Sequence, residues 1–223
     1  MTVDEAPDVR PLEEATTQLV RKVADEIHSL DLDYPARIGV DGFCAAGKTT
    51  IAEALAAVLS ASGAEVIRVS TDDYQNPPEV RWQLGDSSPE GFYRHAVDFD
   101  TMEREVLAPL GPSGSKLYRT SSYDIFARRP HVSEQSVAPD DGVLLLDGLF
   151  LHTERIARAL DYTIFVDAPF DICVERARAR NQERREDAAA VERLYRSRYI
   201  PGFQLYLSEC HPREVASATI PNG

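Results

Sequence analysis

Gly42-Phe43-Cys44-Ala45-Ala46-Gly47-Lys48-Thr49 matches the pattern G-x-x-x-x-G-K-[ST] at every specified position. The chemistry needs these residue types at this spacing. The two glycines let the backbone turn so that its N–H groups face phosphate oxygens, and Lys48 adds a compact positive charge. The Thr49 hydroxyl is placed to ligate Mg²⁺, and the helix that follows brings its N-terminal dipole beneath the phosphates. The candidate phosphate-binding stretch runs from Gly42 through Phe43, Cys44, Ala45, Ala46, Gly47, Lys48 and Thr49 to Thr50. A chance match in a chain this long is on the order of 1% at average residue usage. The alternative is a Gly-rich turn with a stray lysine.

The flanks agree with the motif. Before it, 36–40 is a short apolar run ending in Asp41-Gly42, read as a buried strand. After it, 48–62 is Ala/Leu-rich and helical, with Gly63 as a left-handed stop. Further buried strands are expected at 66–70, 143–147 and 162–167, with a last one at 216–220. Apolar residues at steps of three and four predict an amphipathic helix over 12–30, ended near Pro35. Helices are also expected at 100–107 and 153–160, in a long stretch from Phe170, and up to about Leu207, bent at Pro201. The segment 71–100 has no clean period and reads as a functional loop, and 116–137 reads as a β-hairpin. Alternating strands and helices imply an α/β domain with a mostly parallel sheet covered on both faces. One domain over 1–223 is expected, with 1–35 as an N-terminal helical extension.

Composition narrows the function classes. The 223 residues are 43% hydrophobic and 27% charged, an ordinary globular balance. A net charge of −13 disfavours nucleic acid as a partner. No apolar run is long enough to span a membrane, and residues 1–10 lack the apolar region of a secretory signal. Three scattered cysteines (Cys44, Cys173, Cys210) make neither a disulfide framework nor a metal cluster, and suggest a reducing cytoplasmic setting. Of the 24 basic residues only Lys22, Lys48 and Lys116 are lysines.

Three further features carry chemistry. Asp147 ends an apolar run about one hundred positions after the glycine loop, where a carboxylate can hold the water shell of a metal; a simple strand-ending turn is the alternative. Asp72 and Asp73 follow the second strand, at the edge where ligands bind in α/β sheets, and could orient a hydroxyl and accept its proton; a helix cap or turn is the alternative. Arg176, Arg180 and Arg184 lie a turn apart on one helical face and suit phosphate oxygens, or else form a solvated face with Glu175, Glu183 and Glu186.

Together these pieces resemble the uridine kinase family of P-loop kinases over about 36–223. The resemblance rests on IGVDGFCAAGKTT (38–50), STDDYQ (70–75), GFYRHAVDFD (91–100), SYDIFARR (122–129), VLLLDGLF (143–150), RARARNQER (176–184) and ATIPNG (218–223). It implies a P-loop NTPase fold: a parallel five-stranded sheet flanked by helices, with a β-hairpin and a lid. It implies ATP and Mg²⁺ as cofactors and transfer of the γ-phosphate to a hydroxyl of uridine or cytidine. Lys48 and Thr49 would hold phosphates and metal, with Asp147 as the second metal residue. Asp72 would be the base, Arg180 and Arg184 would come from the lid, and Tyr93, Arg94, Tyr123 and Arg128 would face the acceptor. A homo-oligomer is compatible with the resemblance. Two positions depart from it: Arg94 stands where the family carries an Asp, and Arg128 where it carries a His. Arginine donates but cannot accept, so a carboxylate- or phosphate-bearing acceptor, as in pantothenate kinase or phosphoribulokinase, is the alternative. A nucleotide-binding regulatory module without transfer is a further one.

Overall fold

The structure is a computed structural model and describes residues 12–125, 127–183 and 187–223. Helix α1 (Glu14–His28) buries Thr16, Val20, Val23, Ala24 and Ile27, so the apolar stripe is in part as expected, with Ala15 exposed, and packs on α2. Strand β1 (Ala36–Gly42) leads through the glycine loop into α2 (Lys48–Ala61). Gly63, at φ +96, ends that helix as anticipated, with the Ala64 amide returning to the Leu59 carbonyl. Strand β2 (Val66–Ser70) follows.

The segment read as an aperiodic loop is built of short pieces. They are a 3₁₀ turn (Thr71–Tyr74), a helical turn (Pro78–Arg81), helix α3 (Pro89–His95) and a turn at Phe99–Met102 that runs on to Leu107. Ser88 caps α3 by accepting from the Gly91 amide, with Pro89 in its first turn. Pieces of four to seven residues are too short to show a helical period. The hairpin region is two short antiparallel pairs, Leu117–Tyr118 with Ser136–Val137 and Tyr123–Asp124 with Arg129–Pro130.

Strands β3 (Val143–Gly148) and β4 (Tyr162–Asp167) come next, joined by a single helical turn at Glu154–Ala157, shorter than the helix expected there. Helix α4 (Phe170–Glu183) carries the arginine run. Beyond it, Ala188–Leu194 continues through a π-turn (Tyr195–Tyr199) into α5 (Ile200–Cys210). Pro201 falls in the first turn of α5, where its missing N–H loses no bond of that helix, and α5 runs past the expected end at Leu207. Strand β5 (Ala218–Pro221) closes the sheet.

All five strands are parallel, in the order β2-β3-β1-β4-β5. Consecutive residues Leu144, Leu145 and Leu146 point to alternate faces, yet each is 0% exposed, so both faces are covered. The register sets Asp147 beside Val40 on one side and Ser70 on the other, which brings the glycine loop, the Asp72 turn and Asp147 to one edge.

At the opposite end, Arg37 and Asp161 tie β1 to the entry of β4. Both Asp161 oxygens accept from the guanidinium, at 2.9 and 3.0 Å, and the Tyr34 hydroxyl donates to the same carboxylate at 3.0 Å. The two side chains are 8% and 11% exposed. Asp161→Ala leaves a buried guanidinium unpaired and is expected to cost about 3–5 kcal/mol in urea denaturation; a loss under about 1 kcal/mol contradicts this.

Candidate active site

The glycine loop is held by its own backbone and by the C-terminal turn. Ala46 N–H donates to the Phe43 carbonyl at 3.1 Å, and Lys48 Nζ folds onto the same carbonyl at 2.8 Å. Gly47 has φ +93, and a Cβ there would collide with Asn222 Nδ2, which donates to the Ala46 carbonyl at 2.7 Å. Asn222 is itself fixed, its N–H on the Asp167 carbonyl and its own carbonyl on Arg176. Arg176 therefore serves the loop's support. Phe43 is buried and packs on Phe170, Tyr195 and Phe203, so its contribution to phosphate binding is its backbone.

Beneath the loop, the fully buried Asp41 accepts from the Gly42 amide at 2.7 Å, from the Tyr206 hydroxyl and, at 2.8 Å, pairs with His152 Nδ1. The first N–H groups of α2 have no partner within the helix, which makes them available to phosphate oxygens. Burial pushes the Cys44 thiol up to about 11, with Lys48 and Arg180 opposing and Asp72 reinforcing the shift. Lys48, Arg180 and Asp72 thus share the surroundings of one loop residue. Thr50, also in the first turn of α2, lines a pocket with Leu12 and with Thr17 and Val20 of α1.

Thr49 Oγ1 donates to Asp147 Oδ2 at 3.0 Å, while Arg68 Nη2 donates to Asp147 Oδ1 at 3.0 Å. A hydroxyl and a carboxylate converging on one point suit Mg²⁺, which usually keeps several waters and takes few protein ligands beside the phosphates. Arg68 escaped the sequence reading; its only sign was a charge inside a strand that is otherwise apolar up to Ser70.

Asp72 lies exposed on the 3₁₀ turn, its N–H on the Ser70 hydroxyl and its Oδ1 accepting from Gln75 Nε2 at 2.9 Å. Burial, reinforced by the charges of Asp72, Asp147 and Asp124, pushes the Asp73 carboxyl up to about 6. The hairpin joins this turn through Ser122 N–H, which donates to the Asp73 carbonyl at 2.9 Å. Tyr123 is buried, and its hydroxyl has no partner among the described residues, an orphaned group on the acceptor side.

The other acceptor-side candidates lie apart. The Tyr93 hydroxyl meets Cys210 Sγ at 3.4 Å, and its ring packs on Phe150 and Tyr206. Arg94 stacks on Tyr93 and is held by Glu90 at 2.6 Å and Glu209 at 2.7 Å. Arg128 is exposed in the hairpin turn at φ +53. Arg180 is exposed on α4 and makes no ion pair among the described residues; Arg184 lies outside them. No helix among the described residues is long and apolar enough to cross a membrane.

The sequence model of the phosphoribulokinase/uridine kinase family matches residues 37–218. The chain belongs to that family. Among the family's curated members, the uridine kinase of Aeromonas hydrophila is 26% identical over 190 residues, covering 83% of this chain and 86% of that protein. The uridine kinase of Tolumonas auensis is 28% identical over 191 residues, with the same coverage. A solved structure of a possible uridine kinase from Bacillus stearothermophilus superposes with a TM-score of 0.72 at 17% identity, covering 91% of this chain and 97% of that one. Membership of the phosphoribulokinase/uridine kinase family makes the chain a P-loop kinase with an ATP-dependent phosphotransferase plan.

The Asp73 carboxyl gives a direct pH test. It titrates near 6 when folded and near 4 when unfolded, so between those values the folded chain holds the extra proton. Its ionisation therefore lowers stability as pH rises from about 4 through about 6. Asp73→Asn is expected to match the parent at pH 4 and to exceed it in urea stability at pH 7. A parent–variant difference that stays flat across that interval contradicts the assignment.

Proposed function

We propose that the chain transfers the γ-phosphoryl group of ATP to a hydroxyl of a small-molecule acceptor, with Asp72 as the base. The observation that carries this reading is the meeting, at one sheet edge, of the glycine loop, the Thr49–Asp147 pair and the Asp72 turn. ATP with Mg²⁺ supplies the phosphoryl group and screens its charge. Lys48 and the loop amides hold the triphosphate in register, and Thr49 and Asp147 hold the cation. Gln75 fixes the Asp72 carboxylate, leaving Oδ2 to take the acceptor proton. Arg180 approaches the transferring group from α4, and Arg184, outside the described residues, is proposed to assist it. The orphaned Tyr123 hydroxyl is a hydrogen-bond partner for the acceptor.

Uridine or cytidine is the acceptor that the relatives' names favour. A second reading, an acceptor with a carboxylate or phosphate, is favoured by Arg81, which makes no ion pair among the described residues and donates to Gln75, the partner of Asp72. The proposed setting is the cytoplasm, which would keep the three free cysteines reduced.

Asp72→Asn tests the base. It is expected to leave ATP affinity within about twofold while lowering acceptor phosphorylation by about 10²–10⁴. Transfer at close to the parent rate removes Asp72 from the role.

A further inference from the structure

Arg198 is held on the backbone of Arg81, Arg81 reaches Asp72 through Gln75, and neither guanidinium makes an ion pair among the described residues. Arg198, in the π-turn before α5, is 2% exposed. Its Nη1 donates to the Gly85 carbonyl at 2.8 Å and its Nη2 to the Arg81 carbonyl at 2.6 Å, and its guanidinium lies 4.1 Å above the Trp82 ring. Arg81 ends the helical turn after Pro77, and its Nη1 donates to Gln75 Oε1. Gln75 in turn holds the Asp72 carboxylate. A continuous chain thus runs from Arg198 through Arg81 and Gln75 to the proposed base. The Nε atoms of both arginines are buried without a partner.

Neither guanidinium makes an ion pair among the described residues, whereas Arg94, expected to face the acceptor, is neutralised by two glutamates. Burial lowers the proton affinity of Arg198, and Arg81 adds to that; Tyr199 and Asp86 act against it. The Tyr199 hydroxyl feels the charges of Cys44 and Asp72 as well as of both arginines. Arg198 is buried and Arg81 half-buried, and a buried positive charge with a second one close by is costly until an anion completes the pair. In a chain of net charge −13, with carboxylates to spare, these two lack one.

We propose that Arg81, backed by Arg198, binds an oxyanion carried by the acceptor, a carboxylate or a phosphate ester. This rests on the kinase reading. The Gln75 bridge sets the spacing, so one small molecule would put its anion on Arg81 and its hydroxyl at Asp72. Arg198 has spent both Nη groups on backbone carbonyls and acts as the positioning residue. Arg81 Nη2 makes no hydrogen bond among the described residues and supplies the contact.

The test has a binding arm and a turnover arm. Inorganic phosphate is titrated calorimetrically into protein saturated with magnesium and a non-hydrolysable ATP analogue, which fills the triphosphate site. The parent is expected to bind phosphate, Arg81→Met at least tenfold more weakly, and Arg81→Lys in between. Unchanged affinity for the ATP analogue reports that the variants are folded. No phosphate binding by the parent, or equal binding by Arg81→Met, overturns the site.

In the turnover arm, D-glycerate, ribulose 5-phosphate, uridine and cytidine are offered with ATP. Phosphorylation of an anionic alcohol, with KM raised at least tenfold in Arg81→Met, supports the proposal and tells carboxylate from phosphate ester. Phosphorylation of uridine or cytidine that Arg81→Met leaves unchanged overturns it while sparing the kinase reading. Arg81-dependent phosphate binding with no alcohol phosphorylated supports the anion site and counts against the kinase reading instead.

Discussion

The Thr49 hydroxyl reaches the Asp147 carboxylate across 3.0 Å, and the site depends on that contact. The two residues lie ninety-eight positions apart in the chain. They meet because β1 and β3 are parallel neighbours with Val40 opposite Asp147, so the loop after one strand and the last carboxylate of the other share an edge. Parallel strands require crossovers with helices on the faces. The buried leucines of β3 are therefore as much a condition of the chemistry as the lysine is. A one-residue slip would carry Asp147 to the other face of the sheet, where its charge would have neither Thr49 nor Arg68 as a partner.

The edge concentrates charge of both signs. Asp72, Asp73, Asp124 and Asp147 are close enough for the other three to reinforce the shift of Asp73, while Lys48, Arg68, Arg81 and Arg180 stand among or beside them. Such a mixture suits phosphoryl transfer, where the donor brings negative charge with its own cation and the protein has mainly to position both. Lys48 resting on the Phe43 carbonyl has an easily exchanged partner, and the loop's backbone donors are held in shape from below by Asp41 and from the side by Asn222.

Much of this was legible in the sequence, for identifiable reasons. The β3 and β4 strands are short apolar runs, the glycine loop has a fixed spacing, and Gly63 and Pro35 punctuate their neighbours. The stretch 71–100 was not legible, because its pieces are set by single caps such as Ser88 and Asp98 and by contacts with α5, not by any period of their own. The same holds for the residues around the site. Asn222 was visible only as a turn, Arg68 only as an odd charge, and Arg81 and Arg198 meet across 117 positions, a contact that no local pattern encodes. The pairing of Arg94 was hidden for the same reason: its carboxylate partner Glu209 is distant in sequence and near in space.

Calorimetric titration of ATP into the intact chain at millimolar magnesium tests the phosphate cradle most directly, with Lys48→Ala in parallel. A single saturable site is expected in the parent, with affinity at least tenfold weaker in the variant, since one lysine–phosphate contact is lost. No heat from a well-folded parent, or equal binding by Lys48→Ala, would contradict the cradle on which the proposed chemistry stands.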